Sequence, residues 1–296
     1  MLFPGAIGDL LCCWPALDAL GDGGARLTLA ARPDTADVLP AERLSSWSID
    51  ARELAELFGS GPLSAVTRER FAGFTRVDSF TGHADPSFAA RLAAAAGDSE
   101  RVHVHPFRGM RRDEPARDYY ARCLGAAPRV RPLPVHADAA AWAESLWRRA
   151  HLDQRVLVIH PGSGSPAKNW EGMSRVAGAW RRNGGQVIAL RGPAEIDAGT
   201  QLAEADLTLS GESLRRIAAV IARARRFLGN DSGISHLAGL IGARTVVVFG
   251  ETDPGIWAPA GDDVRVLHAP SACTRCGPRR FCAHRLTEAD VLAALA

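Results

Sequence analysis

Lysine is nearly absent from this sequence of 296 residues. Of its 35 Lys and Arg residues, one is lysine, Lys168. A GC-rich coding sequence explains an arginine excess, but it leaves one side-chain ammonium group in the whole chain. Long apolar runs are also missing. None approaches the roughly 18–20 residues that span a bilayer, which excludes a membrane-crossing helix. The N-terminus has neither a charged leader nor a signal-like apolar stretch, so the expected location is the cytoplasm. Net charge is only +2, so bulk charge gives no reason to expect nucleic acid. Three motifs are lacking as well. The loop around Lys168 does not have Walker A spacing, and no GxGxxG follows the first strand. Around Ser163 the nucleophile-elbow pattern fails, because Ser165 stands where glycine is required.

What is present reads as a soluble α/β protein. The length suggests two domains, since single cores rarely grow beyond about 250–300 residues. The proline-rich stretch 127–136 is the natural linker, giving an N-terminal domain over 1–134 and a C-terminal domain over 135–296. The C-terminal part alternates strand and helix clearly. VLVIH at 156–160 is a continuous apolar strand of the buried parallel type. Strands are expected at 186–190, 207–209, 226–228 and 244–249, with helices at 171–183, after the 192–195 turn to about 205, at 214–224 and from Gly233. The N-terminal part repeats this pattern more weakly. Leu2-Phe3 is the stub of a strand, either short or cut by a misplaced start. A strand follows at 26–31, residues 46–80 are ambiguous, and 86–97 is a helix opened by proline and closed by glycine. Such alternation predicts two Rossmann-like, doubly wound parallel sheets facing across a cleft.

Chemistry is expected where strands end and helices begin, because the first amides of a helix attract anions. Residues 229–236 (GNDSGISH) form such a junction. Ser232 and Gly233 can offer amides, and His236 either reaches the ligand or sits in the core. Asp231 is expected to cap the helix and to touch a ligand hydroxyl. Ser163 and Lys168 lie in the 161–169 loop, which suits a phosphate or is simply a turn with a solvated lysine. Gly5 and Gly8 allow close backbone approach, and Asp9 behind them is either a helix cap or a carboxylate facing the ligand. His103 and His105 share one strand face without further metal ligands nearby. The Arg111-Arg112, Arg181-Arg182 and Arg279-Arg280 pairs are solvated ends or contacts for anionic headgroups.

Together, PGAIGDL at 4–10, HPGS at 160–163 with KNW at 168–170, and GNDSGISHLA at 229–238 resemble glycosyltransferase family 9, the ADP-heptose:lipopolysaccharide heptosyltransferases and their relatives. The turn at 250–254 and the cysteine-bearing tail are similar too. The resemblance implies a GT-B fold and an inverting, metal-independent sugar transfer. It implies Asp9 as general base and Lys168 as the group that stabilises the departing diphosphate. Asp231, Ser232, Gly233 and His236 would hold the diphosphate and sugar, with Ser163 in the adjoining loop and Glu195 on the ribose. The donor would be a nucleotide sugar, ADP-linked by resemblance, and no metal cofactor would be needed. The acceptor would be lipid-linked or glycan, bound by a monomer that associates peripherally with the inner membrane. Cys273, Cys276, Cys282 and His284 could instead complete a tetrahedral zinc set, with reduced thiols as the other reading. Two further functions stay open: a nucleotide-sugar epimerase or hydrolase, and a non-catalytic nucleotide-sugar binder.

Overall fold

The computed structural model describes residues 1–127, 129–192, 196, 202–269 and 282–296. The chain divides into two compact units, Met1–Arg129 and Val130–Ala296. The division falls inside the proline-rich stretch. Leu133 already belongs to the second unit, where its amide bonds to the Leu240 carbonyl.

Unit 1 is built on a very short central strand. Leu2 bridges in parallel to Ala30 on one side and to Ser79 on the other. Helix α1 (Ile7–Asp22) follows, then strand β1 (Leu27–Ala31), short helix α2 (Pro33–Ala36) and strand β2 (Leu44–Ser48). The ambiguous region resolves into α3 (Arg52–Ala55), α4 (Ala65–Ala72) and β3 (Val77–Ser79). These elements are only a few residues long, too short for a periodic pattern to emerge. Helix α5 (Pro86–Ala96) has Asp85 as its N-cap and Gly97 in the left-handed conformation at its end. Strand β4 (Val102–Val104) and helix α6 (Ala116–Leu124) complete the unit. β1 pairs in parallel with β2, and β3 with β4, so Leu2 joins two parallel pairs.

Unit 2 opens with α7 (Ala137–Arg149) and β5 (Val156–His160), then α8 (Met173–Arg182), β6 (Gln186–Arg191) and β7 (Leu207–Ser210). The chain continues through α9 (Leu214–Ala224), β8 (Arg226–Asn230), α10 (Gly233–Ile241) and β9 (Arg244–Val248). Short α11 (Pro254–Trp257), β10 (Val264–Leu267) and α12 (Glu288–Leu295) end it. The six strands are all parallel, in the order β10-β9-β8-β5-β6-β7. From β5 the chain winds outward to β7, then returns to β8 and winds the other way. The topological switch point therefore lies between β5 and β8, where sheets of this kind bind ligands beyond their strand ends.

The apolar run of β5 follows from this arrangement. Val156 and Val158 pack with α7 and α9 through Trp147, Val220 and Ile221. Leu157 and Ile159 pack on the opposite face with α8 and α12 through Val176, Val291 and Leu295. A strand covered on both faces has no polar side to alternate with. Strand β10 and helix α12 had no expectation in the sequence. The helix expected from the 192–195 turn to about 205 falls mostly outside the described residues, and its last residues, 202–205, form a turn instead, closed by the Ala205 amide on the Leu202 carbonyl.

Candidate active site

In unit 1 the chemistry gathers where the central strand gives way to α1. Gly5 sits in a tight turn. A Cβ there would lie 2.5 Å from the Phe3 ring and 2.9 Å from that of Phe107, so only glycine fits. Gly8 is the second residue of α1 and Asp9 the third. Asp9 is 5% exposed. It does not cap the helix: the N-cap position is Ala6, without a side-chain cap. Its carboxylate is gripped instead by Arg108, with Nε donating to Oδ1 at 3.2 Å and Nη2 to Oδ2 at 3.0 Å. This forked pairing fixes both oxygens in orientation. The bond to Asp9 raises the Arg108 guanidinium above its ordinary pKa. The Tyr120 hydroxyl lies 3.4 Å from Asp9 Oδ1. Burial, and next the Asp9 charge, push its pKa far up, so it stays a neutral donor.

The loop carrying Arg108 is itself anchored. The Tyr119 hydroxyl donates to the Pro106 carbonyl, and packing of α6 on α1 brings Tyr120 to Asp9. His105, at the end of β4, bonds to Asp78 at 2.9 Å. Burial opposes ionisation of Asp78, but bonds from His105 and Arg76 outweigh it and hold its pKa low. Neither His103 nor His105 belongs to a metal-binding group among the described residues.

In unit 2 the site lies at the switch point. Ser232 is the N-cap of α10, its Oγ accepting from the Ser235 amide. His160, the last residue of β5, places Nδ1 3.2 Å from Ser232 Oγ, so the two central strand ends meet there. Gly233 opens α10. His236, its fourth residue, is buried. The expectation that Asp231 caps α10 is corrected: Ser232 caps, because Asp231 is still tied to the sheet through its amide bond to the Val248 carbonyl. Its carboxylate turns the other way. Asp231 Oδ2 accepts from Lys168 Nζ at 2.7 Å and from Thr252 Oγ1 at 2.6 Å. Asp231 is 7% exposed, while the Lys168 side chain is 27% exposed. The lone lysine is thus held by a buried carboxylate but remains open to solvent.

The loop bearing Lys168 is pinned by Asn230, which is fully buried. Asn230 Oδ1 accepts from the Trp170 amide at 3.0 Å, and Nδ2 donates to the Pro161 carbonyl at 2.8 Å. The Ser163 hydroxyl donates to the Ser165 carbonyl at 2.7 Å and lies 2.8 Å from Asn169 Oδ1. It therefore shapes the loop from within. On the far side, a Cβ at Gly250 would stand 3.7 Å from Lys168 Cα, so the loop after β9 lies directly against the lysine loop.

Of the residues expected from sequence, Asp9, Gly5 and Gly8 come together in unit 1. Ser163, Lys168, Asp231, Ser232, Gly233 and His236 come together in unit 2. Glu195, Cys273 and Cys276 lie outside the described residues. Cys282 Sγ is 3.6 Å from His284 Nδ1, and no group of three or more metal-ligating side chains occurs among the described residues. Sequence reading missed Arg108, which is 99 residues from Asp9 and could have been found only as a residue just beyond a strand end. It also passed over Asn230 and Thr252, although both lie inside motifs it singled out.

A doubly wound unit with a lysine, hydroxyls and a helix N-terminus at its switch point has the arrangement in which open α/β sheets place their ligands. Residues 131–282 match the sequence model of glycosyltransferase family 9 (heptosyltransferase). The chain belongs to that family. It is 26% identical over 148 residues to lipopolysaccharide heptosyltransferase 3 of Escherichia coli. That match covers 46% of this chain and 44% of the relative, so the chain spans less than half the length of the curated relative it matches. Among solved structures it is similar to E. coli ADP-heptose lps heptosyltransferase II, with a TM-score of 0.71 and 18% identity, covering 99% of this chain and 96% of that one. It is also similar to the iron-containing dodecameric glycosyltransferase TibC of enterotoxigenic E. coli, with a TM-score of 0.61 and 18% identity, covering 99% and 74%. These likenesses show the GT-B fold.

Proposed function

We propose that the chain transfers a sugar, heptose or a close relative, from an ADP-linked or other nucleotide donor to a lipopolysaccharide-core or other surface-glycan acceptor. Residues 135–296 take the donor and residues 1–134 the acceptor. The observation that carries this reading is the position of Lys168 Nζ, 2.7 Å from Asp231 Oδ2 beside the Ser232-capped start of α10, at the switch point. Helix amides and one ammonium group suit a diphosphate. Asp231 fits because its carboxylate is turned to Lys168 and Thr252, which both donate to it.

In the transfer, the acceptor oxygen attacks the anomeric carbon from the face opposite the diphosphate, and its proton passes to the Asp9 carboxylate. The carbon–oxygen bond to the diphosphate breaks, and the electron pair stays on the phosphate oxygen, where Lys168 offsets the developing charge. The configuration inverts, and no metal is needed. Gly5 and Gly8 let the acceptor approach the backbone, His236 supports the diphosphate and sugar, and Glu195 holds the ribose. Work at the cytoplasmic face of the inner membrane suits a lipid-linked acceptor. No helix among the described residues is long and apolar enough to cross a membrane.

The test is transfer from ADP-heptose to a heptose-deficient lipopolysaccharide core in the presence of EDTA. Inverted product is expected from the wild type, and Asp9→Ala and Lys168→Ala should both lose it. Donor breakdown at the same rate without acceptor would point to a hydrolase. Activity restored only by added iron or zinc would overturn metal independence.

A further inference from the structure

We propose that Thr252 is a positioning residue that governs how readily Lys168 leaves Asp231 for the donor's diphosphate. The inference rests on the nucleotide reading above and assigns a role to a residue outside it. Asp231 Oδ2 is shared by two donors, Lys168 Nζ at 2.7 Å and Thr252 Oγ1 at 2.6 Å. Asp231 is almost fully buried, while Lys168 is partly open to solvent. When the ammonium turns outward to a phosphate, the carboxylate loses its counter-charge in a site poor in water. A buried carboxylate stripped of all partners is strongly destabilising. Thr252 prevents that, because its hydroxyl stays on Oδ2 after Lys168 has turned away. It also shares Oδ2 with Lys168 beforehand, so the ammonium is held less tightly at rest.

Thr252 is well placed for this task. It lies in the loop after β9, one strand beyond the switch point, and Gly250 in the same loop lies against the Lys168 backbone. The loop therefore lies against the lysine loop and reaches Asp231 as well. Through Asp231, Thr252 acts on the lysine without needing to touch the donor.

Because Lys168 is the only lysine in the chain, isotope-labelled lysine gives one side-chain NMR signal and reports this ammonium alone. ADP is titrated into labelled wild-type protein, Thr252→Val, Thr252→Ala and Thr252→Ser, without metal, with binding followed in parallel by calorimetry. Thr252→Val is expected to raise the Kd for ADP about tenfold, the scale of one hydrogen bond to a charged group, and to hold the Lys168 signal in its ligand-free position to higher ADP. Thr252→Ser, which keeps the hydroxyl, should restore both to within about twofold, while Thr252→Ala should match Thr252→Val and replaces it should the valine fail to fold. In an Asp231→Asn background, where there is no carboxylate charge to hold, Thr252→Val should change the Kd by less than about twofold. An unchanged Kd and Lys168 signal in Thr252→Val would overturn the inference alone. An equal loss in the Asp231→Asn background would also overturn it, since Thr252 would then act on the ligand directly. Failure of the wild type to bind any nucleoside diphosphate would overturn the functional reading and this inference with it.

Discussion

Replacing Asn230 by alanine tests how the donor loop is held. Asn230 is fully buried at the end of β8. Its side chain takes the Trp170 amide at 3.0 Å and gives to the Pro161 carbonyl at 2.8 Å, thereby closing the loop that carries Lys168. The alanine variant leaves a buried N–H and a buried C=O without partners. Each such group costs about 1–3 kcal/mol, so the loss is about 2–6 kcal/mol. For a unit of this size, 1 kcal/mol moves the melting temperature by about 2–4 °C, so a fall near 10 °C is expected. Thermal melting followed by circular dichroism, with ADP binding measured on the folded fraction, reads both effects. Asn230→Asp adds a control with a sign. The carboxylate can accept from Trp170 but cannot donate to Pro161, and burial raises its folded-state pKa above the ordinary value near 3.9. A raised carboxyl binds more protons in the folded state, so this variant should lose stability as pH rises through that window and regain it as pH falls toward 4. A melting point within about 2 °C of wild type in Asn230→Ala would refute the claim that this side chain pins the loop.

Further expectations concern unit 1. Asp9→Asn should lower kcat by about 10²–10⁴-fold while leaving donor KM nearly unchanged, as removal of a general base does; an unchanged kcat would remove Asp9 from the chemistry. Arg108→Ala removes the fork that orients the Asp9 carboxylate, leaving only the Tyr120 hydroxyl near Oδ1, and should lower kcat by roughly tenfold with ADP affinity unchanged, whereas a weakened ADP affinity would place Arg108 on the donor. Glu56 is held at about 2, chiefly by the Thr67 hydroxyl and then by the Ser64 amide. A depressed carboxyl stabilises the fold above its unfolded value near 4.3, and the contribution is lost as pH falls through about 2. Thr67→Val should raise the Glu56 value toward the ordinary glutamate range in an NMR titration, and no movement would show that Thr67 is not the cause.

Much of unit 2 was legible because its inner strands, β5 above all, are buried along their length. VLVIH at 156–160 and RTVVV at 244–248 stand out as apolar blocks, and the glycine and serine turns between them fall at strand ends. Unit 1 was harder to read. Its central strand is a single bridging residue, Leu2, and its helices α2 and α3 have four residues each. Residue types at the site were legible, but their partners were not. Asp231 was read as a cap because local sequence makes an aspartate before a helix look like one. Its actual partners, Lys168 and Thr252, arrive from two other strand ends, and only the strand order brings them there. The partner of Asp9 was hidden for the same reason, since Arg108 comes from beyond β4.

The most direct measurement is the melting temperature of the EDTA-treated protein with and without ADP, for the wild type and for Lys168→Ala. At a ligand concentration of 100 Kd the stabilisation is about 2.7 kcal/mol, which corresponds to a rise of roughly 5–11 °C. The account predicts that rise in the wild type and the loss of most of it in Lys168→Ala. No shift with ADP or any other nucleoside diphosphate, or an equal shift in both proteins, would contradict it.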